Sequence, residues 1–227
     1  MRHLQILTIA ITALVGTAAT VHANTIQISN TFTQDDNHFE LTFGLFSPGQ
    51  VAIETWAYGG GTTPLGTVVP AGGFATVLSL FDSSDTLVAF DSGGTAPASC
   101  GPRGIDPATG FCLDAFLSPI LIPGNYHLVL TQYDNLPFGP TYADGFLRDG
   151  EGNFTGPAFT GLPGSFIDPG QNQRTSAYVL SITLPTNDRV PPVPEPVTLV
   201  TLASGSVLCA VRRRRARPSR PPSPETP

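Results

Sequence analysis

Lysine is absent from this chain of 227 residues, and charged residues of all kinds make up only 12% of it. With 24 glycines and 23 prolines, this low charged fraction excludes a coiled coil or long-helix protein, which needs a charged, proline-free repeat. Hydrophobic residues account for 41% of the chain, and that share excludes wholesale disorder. Length and composition therefore predict one folded domain with appendages.

The few charges are unevenly distributed along the chain. Its net charge is −6, but residues 24–193 carry four arginines against 15 carboxylates, a net charge of −11. Residues 194–227 carry six arginines and two glutamates, a net charge of +4. Such an asymmetry between an acidic block and a basic end calls for a topological explanation.

The first residues have the pattern of a secretory signal. Arg2 and His3 precede the apolar stretch Leu4–Thr20, and Val21-His22-Ala23 places small residues at the positions that a signal peptidase reads. The sequence therefore predicts a signal helix over residues 1–23, removed after Ala23. A core helix and a membrane anchor are the alternatives.

The C-terminal segment 193–217 combines three features, which are a proline motif, an apolar run and a basic cluster. The motif is Val193, Pro194, Glu195 and Pro196; the apolar run is 197–211; the cluster 212–217 includes Arg212, Arg213, Arg214 and Arg215. Proline keeps the motif extended, and a helix over the apolar run would be about 22 Å long, against a hydrocarbon core of about 30 Å. Arginine stays on the cytoplasmic side. The run therefore predicts a transmembrane segment that is short and transient, preceded by a linker over 186–192.

This tripartite tail resembles the PEP-CTERM sorting signal of Gram-negative bacteria. The resemblance implies an exosortase as partner, which is a membrane-embedded cysteine transpeptidase, and passage through the inner membrane to the cell surface or the extracellular space. Residues 218–227 extend beyond the usual end of such tails and are predicted to be disordered. An ordinary single-pass anchor is the alternative. Nucleic-acid binding is not expected, because the arginines adjoin an apolar run and no aromatic residue lies among them.

Two of the three cysteines lie in the predicted exported region. Cys209 falls in the sorting helix, whereas Cys100 and Cys112 form an even pair in an oxidising compartment. We expect these two to form a disulfide. The alternative, a metal pair, has poor spacing for zinc and no histidine nearby.

Residues 24–185 alternate with period two and show no convincing helical stripe. The candidate strands are Thr25–Thr33, Phe39–Phe43, Val51–Trp56, Phe74–Phe81, Thr86–Phe90, Tyr126–Tyr133 and Ala177–Leu184. Turn residues separate them, so the pattern predicts an all-β domain, an antiparallel β-sandwich or jelly roll. Two long connections, Asp91–Pro123 and Asp134–Thr175, are rich in Gly, Pro and Asp and mark loops that are functional or disordered.

The same region resembles a family of exported bacterial proteins with PEP-CTERM tails and no assigned activity. The segments that carry the resemblance are Gln50–Thr55, Tyr58–Gly61, Gly72–Phe74, Leu80–Asp82, Leu130–Asn135 and Gly152–Gly156. The unit Phe81–Asp91 and the strand start Pro123–Tyr126 also resemble bacterial pre-peptidase C-terminal domains. That resemblance implies a small β-sandwich used for adhesion or binding.

Catalytic chemistry has few candidate residues, and we predict that the chain is not an enzyme. No Gly-x-Ser-x-Gly or His-Glu-x-x-His motif is present. His127 is expected on the solvent face of a strand and His38 in a turn. Trp56 and Tyr58 beside a glycine run could stack on sugar rings if exposed; core or edge packing is the alternative.

Calcium is the one cofactor that the loops suggest, because Ca²⁺ takes oxygen ligands from carboxylates, amides and backbone carbonyls. The densest candidates are Asp144, Asp149, Glu151 and Asn153. The alternative is that these residues are turn formers, since Asp and Asn bond their own backbone.

The sequence therefore predicts an exported surface or matrix protein that an exosortase sorts, associated with extracellular polysaccharide or biofilm. The alternatives are a glycan- or protein-binding adhesion module that depends on calcium, and a hydrolase with a hidden site.

Overall fold

The computed structural model describes residues 25–95 and 97–185. Its strands are β1 (Thr25–Thr31), β2 (Phe39–Leu45), β3 (Gly49–Gln50), β4 (Ala52–Trp56), β5 (Gly61–Thr62), β6 (Val68–Val69), β7 (Thr76–Phe81), β8 (Leu87–Asp91), β9 (Phe116–Leu117), β10 (Ile120–Leu121), β11 (Gly124–Gln132) and β12 (Ala177–Thr183). One α-helix, α1 (Thr155–Thr160), and two 3₁₀ turns, Pro97–Ser99 and Tyr142–Asp144, complete the elements.

These strands form two four-stranded antiparallel sheets that pack as a β-sandwich. The first sheet has the order β1-β12-β4-β9 and the second β2-β11-β7-β8. Two short ladders, β3 with β10 and β5 with β6, accompany them. The predicted all-β sandwich is confirmed, and the seven strand candidates correspond to β1, β2, β4, β7, β8, β11 and β12.

The core lies between the sheets because alternate side chains of each strand point inward. Ile53 of β4, Leu128 of β11 and Leu180 of β12 are fully buried there. Strand β7 is buried along its whole length, because the side that faces away from the core is also covered by other residues. On that outer side, Phe81 meets Val129 and Phe146 in a separate small cluster. The long connection 134–175 therefore closes the outer face of the second sheet.

Both long connections contain structure that the sequence did not predict. The first holds β9 and β10, which have only two residues each and are too short for an alternating pattern. The second holds helix α1, whose six residues include Gly156 and Pro157, so no helical stripe develops. Gly161 ends the helix in the left-handed conformation, with φ 72°, and its N–H bonds to the Pro157 carbonyl.

The chain enters and leaves the sandwich at one end. Thr25 of β1 pairs with Thr183 of β12, and Pro185 follows two residues later. A methyl group on Gly49 would meet the Pro185 ring at 2.5 Å, so the turn after β2 lies against this exit. We call this end, with segments 45–51 and 118–124, the terminal end. The opposite end, with segments 32–38, 57–60 and 161–176, is the loop end.

Candidate functional site

The β5–β6 hairpin, residues 61–69, lies over the outer face of the first sheet, and we call it the strap. A methyl group on Gly61 would meet the Trp56 ring at 2.7 Å, so only glycine lets the strap approach this closely. Further along, the Gln27 side-chain N–H donates to the Thr67 hydroxyl at 3.0 Å. The strap therefore covers Trp56 at one point and Gln27 at another.

A row of polar side chains crosses the sheet next to the strap. Gln27, Ser181 and Glu54 are paired across β1, β12 and β4, so they share one face of the sheet. Gln27 Oε1, Ser181 Oγ and Glu54 Oε1, together with Trp56 Nε1, are buried and have no hydrogen-bond partner among the described residues. Because buried polar atoms in folded proteins are nearly always bonded, this row is suited to a small polar partner, such as water or a ligand hydroxyl.

The charge of the row depends on Glu54. Burial, and after it the nearby Asp114 carboxylate, raise the pKa of the Glu54 carboxyl to about 7, against the lowering effect of Arg103. When protonated, Glu54 is both a donor and an acceptor. In mildly acidic solution the row is therefore uncharged and can pair with hydroxyl groups in either direction.

An open groove of about 490 Å³ runs between the strap and the β1–β12 edge. Neutral polar residues and small apolar residues line it, and they include Ser29, Asn30, Thr31, Thr67, Thr175, Val69, Ala71 and Val179. No charged side chain takes part among the residues that line this groove. Ser29 and Val179 lie in the same row of the sheet as Trp56, so the groove adjoins the polar row. Because its accessible lining is mainly apolar and carries no charge, the groove suits a neutral ligand with apolar faces and a few polar groups.

The loop end is held together by buried carboxylates, of which Asp114 is the first. It accepts three consecutive backbone N–H groups, from Ala57 at 2.7 Å, Tyr58 at 3.0 Å and Gly59 at 2.7 Å. Burial raises the pKa of Asp114 to about 7, against the lowering effect of these three amides. The segment before β9 is thereby tied to the turn after β4.

Asp35 has the same role between the β1–β2 loop and the second long connection. Its carboxylate accepts the Thr155 N–H at 2.8 Å, the Thr155 hydroxyl, and the Phe166 N–H at 2.7 Å. Asp35 is fully buried. A single side chain therefore fixes both the start of α1 and the segment after it.

Arg174 joins the two long connections to each other. Its guanidinium bonds to Asp106 at 2.8 Å, to Asp168 at 2.7 Å and to the Tyr58 hydroxyl at 2.8 Å. Burial by itself would raise the pKa of Asp168, but the Asn172 and Arg174 hydrogen bonds outweigh it, and the pKa lies below its usual value. This buried cluster is structural, because its charged groups satisfy one another.

A second cluster lies on the outer face of the second sheet and includes both described histidines. His38 Nε2 is 2.8 Å from an Asp149 oxygen, and His127 Nε2 is 3.2 Å from a Glu40 oxygen. The Tyr142 hydroxyl donates to Glu40 at 2.8 Å, and this bond, with burial, raises the pKa of Tyr142 to about 12.

The two histidines thus sit where the sequence expected them, with one difference. His127 lies on an outer face, yet its side chain is only 18% exposed, because the Tyr142 ring packs against it with the two ring centres 4.5 Å apart. The second long connection passes over this strand, so the face that the sequence assigned to solvent is largely covered.

The four residues predicted as calcium ligands are engaged separately. Asp144 accepts the Thr141 N–H and hydroxyl, and Asp149 accepts from the Asn135 amide and the Phe146 N–H. Glu151 pairs with Arg148 at 3.4 Å. Asn153 accepts the Asp35 N–H. Across the ranges 25–95 and 97–185, no group of three or more His, Cys, Asp or Glu residues is arranged to hold a metal ion. Turn and loop bonding accounts for these four side chains, and calcium binding stays a prediction.

The predicted disulfide between Cys100 and Cys112 is confirmed, with the two Cα atoms 5.5 Å apart. Of the two interpretations of Trp56 and Tyr58, core or edge packing is confirmed and the exposed sugar platform is not, because Trp56 is 8% exposed and Tyr58 is fully buried. The strap covers Trp56, and the Arg174 guanidinium lies 4.1 Å from the centre of the Tyr58 ring.

The predicted signal peptide, linker, sorting motif Val193–Pro196, apolar run, Arg212–Arg215 cluster and tail lie outside the described residues. Among the residues that are described, no helix has the length and apolar character needed to cross a membrane.

No family model matches the chain, and no curated protein matches it. Among solved structures, it is similar to the pre-peptidase C-terminal domain of collagenase from Bacillus anthracis. That match has 16% identity and a TM-score of 0.31, and it covers 70% of this chain and 87% of the other. It is also similar to PliG of Aeromonas hydrophila, a periplasmic inhibitor of g-type lysozyme, with 10% identity, a TM-score of 0.30, and coverage of 71% and 86%. Likenesses this distant carry no argument about what this chain does.

The polar row and the groove were missed by sequence reasoning. Glu54 and Ser181 stand at outward positions of strands and have the pattern of ordinary solvent-facing residues. The signal that could have drawn attention to them is the Gly59-Gly60-Gly61 run, which permits a close strap, but its contact with Trp56 depends on the fold.

Proposed function

We propose that this chain is an exported surface or matrix protein without enzymatic activity, sorted by an exosortase through residues 193–217. The tripartite tail, with its proline motif, short apolar run and arginine cluster, is the single observation that carries the proposal. The disulfide supports it, because such bonds persist in oxidising compartments outside the cytoplasm.

Absence of catalysis is part of the proposal. In the described part of the chain, both cysteines are joined to each other, and both histidines are bonded to carboxylates. Cysteines joined in a disulfide supply no thiolate nucleophile, and this supports a binding or scaffolding role over a cysteine-dependent hydrolytic one.

Mass spectrometry of the mature protein from cells with and without the exosortase tests the sorting. We expect the exported product to have lost Arg212–Arg215 only when the enzyme is present. Glu195→Ala, inside the motif, should block that processing, whereas Glu225→Ala, in the tail, should leave it intact. Exported protein that keeps its arginine cluster would overturn the proposal.

A second candidate function is favoured by the groove beside the strap. We propose that it holds a neutral polysaccharide, since its lining is uncharged and mainly apolar with a few hydroxyl and amide groups, and an acidic domain of net charge −11 would repel polyanions. Calcium dependence of that binding is a separate proposal, tested by the melting temperature with and without millimolar calcium; no upward shift would remove it.

An array of neutral and anionic glycans tests the groove. We expect retention of neutral glycans, and loss of that retention in Ala71→Trp, because the indole would fill the groove at an exposed position. Ala108→Trp, at an exposed position outside the groove, is the matched control and should bind normally. Equal binding by the two variants would place the ligand elsewhere.

A further inference from the structure

Both predicted membrane-seeking segments connect to the terminal end of the sandwich. Thr25 follows the predicted signal cleavage point by two residues, and Pro185 precedes the apolar run 197–211 by a short segment. These two residues lie at the same end because β1 and β12 are paired along their whole length. Both predicted segments are therefore connected to the same end of the described domain.

Three large apolar side chains stand exposed at that same end. Phe46 is 77% exposed, Ile120 is 82% exposed and Ile122 is 71% exposed. They lie in neighbouring segments, because Leu45 pairs with Gly124 and Gly49 pairs with Leu121. We call Phe46, Ile120 and Ile122 the apolar tip. Exposed apolar residues grouped in this way mark an interaction surface more often than isolated ones do.

The segments that contain the apolar tip carry few charges, although the domain as a whole is acidic. Segments 41–53 and 115–125, which contain the apolar tip, have no Asp, Glu or Arg. The nearest carboxylate that shares a groove with Ile120 and Ile122 is Asp82, in the β7–β8 turn. The carboxylates Asp35, Asp114 and Asp168 and the base Arg174 lie at the loop end, far from the tip along the strands.

We propose that the terminal end docks on the lipid surface of the membrane that holds the precursor, with the apolar tip entering the interfacial region. The proposal rests on the proposed function, because the sorting tail supplies the tether. Residues 186–196 can span at most about 40 Å, so the tip stays close to the bilayer even when it is undocked. Such tethering raises the effective concentration, and three apolar side chains then suffice for a weak insertion.

Tryptophan quenching by brominated lipids tests the docking in the full-length precursor. The chain has a single tryptophan, Trp56, which is buried and gives a constant background. Phe46→Trp and Ile122→Trp add a reporter at the tip, and Leu162→Trp adds one at the loop end, where Leu162 is 66% exposed. The precursor is reconstituted in vesicles of phosphatidylethanolamine and phosphatidylglycerol, with and without brominated acyl chains.

We expect the added emission of Phe46→Trp and Ile122→Trp to be quenched and shifted to the blue, and that of Leu162→Trp to be unchanged. Equal, unquenched emission at all three positions would overturn the docking. Cross-linking between copies at position 46, without quenching, would assign the tip to a second copy and would also overturn it. Disulfide formation and the Trp56 background confirm that each variant is folded.

Alkaline extraction of the same vesicles separates this inference from the proposed function. A precursor that resists extraction but shows no quenching at the tip is anchored and undocked, so only the docking fails. A precursor that extracts freely has no membrane segment, so the sorting proposal fails together with the docking that rests on it.

Discussion

The two ends of the sandwich contain opposite kinds of residue. At the loop end, Asp35, Asp114 and Asp168 are buried and each accepts several hydrogen bonds from connections that the strands alone would not fix. At the terminal end the connections are short, the β7–β8 turn is held by the partly exposed Asp82, and large apolar side chains remain exposed. In this domain buried carboxylates hold the loops of one end together, while the other end exposes large apolar side chains near a single turn carboxylate, Asp82.

The largest effect should come from removing the base of the buried cluster at the loop end. Arg174→Met leaves Asp106 and Asp168 buried without a counterion, and we expect a loss of about 3–5 kcal/mol in the free energy of unfolding. Urea unfolding measures this loss. Arg148→Met is the control, because the Arg148–Asp134 pair is about a third exposed and should contribute only about 0–1 kcal/mol. Equal losses would mean that burial does not distinguish the two arginines.

The disulfide should rank next. Replacing both Cys100 and Cys112 by alanine removes the bond that closes the loop between them. For a loop of about this length, the chain-entropy model gives a stabilisation of about 3 kcal/mol. We expect a corresponding fall in the urea midpoint of the double variant. The same fall should occur in the natural protein under reducing conditions, and a reductant should not affect the variant. A wild-type midpoint that ignores the reductant would contradict this role.

Asp35→Asn tests the support of the second connection and should have a smaller effect. The asparagine amide cannot accept from all of the groups that Asp35 bonds, so one buried donor is orphaned at a cost of about 1–3 kcal/mol. Hydrogen exchange should quicken first in segment 155–166, because these amides lose their acceptor. Exchange that quickens instead in the strands would mean that Asp35 supports the core and not the loop.

The pH dependence of stability tests Glu54, which lies between the two ends. Its effect on the free energy of unfolding should be smaller than those above. Its pKa is raised from 4.5 to about 7 in the folded state, so the folded chain holds a proton that the unfolded chain releases. The resulting stabilisation is full below pH 4.5 and is lost as the pH rises through about 7, and the raised pKa of Asp114 acts in the same direction.

We therefore expect the melting temperature to fall between pH 5 and pH 8. Glu54→Gln, which stays neutral, should reduce that fall, and an unchanged slope would show that Glu54 titrates normally.

The smallest effect is expected at the terminal end. Ile120→Ser changes an exposed side chain and should alter the free energy of unfolding by no more than about 0.5 kcal/mol. Leu121→Ala, at the adjacent buried position, should cost about 2–5 kcal/mol. Urea unfolding of the two variants would sharpen the comparison, since a large loss in Ile120→Ser would give the apolar tip a structural role.

The strands and the disulfide could be predicted from the sequence because both depend on local signals. Alternation at Phe39–Phe43 and around Ile53 reports which side chains face the core, and it predicted β2 and β4. It failed for β9 and β10, where two residues cannot show a period, and for α1, where six residues with Gly and Pro show no stripe.

The site was harder to predict for a physical reason. Asp114 bonds the Gly59 N–H across 55 residues of chain, and Arg174 bonds Tyr58 across 116. Nothing in the local pattern around these residues identifies such partners. Asp149 and Asn153 likewise have the pattern of calcium ligands in the sequence. In the fold, Asp149 is hydrogen-bonded to His38 and Asn135, and Asn153 accepts the Asp35 N–H.

The sequence by itself determined the all-β class, the acidic charge of the domain, the cysteine pair and the basic tail, because composition and short-range periodicity settle these properties. Only the tertiary structure decided that the carboxylates are buried at one end, that Trp56 lies under a strap, and that the chain enters and leaves beside an apolar tip. Strand register and the loops it positions decide these, because they bring together groups that the local sequence pattern does not relate, such as Thr25 with Thr183 and Asp35 with Thr155.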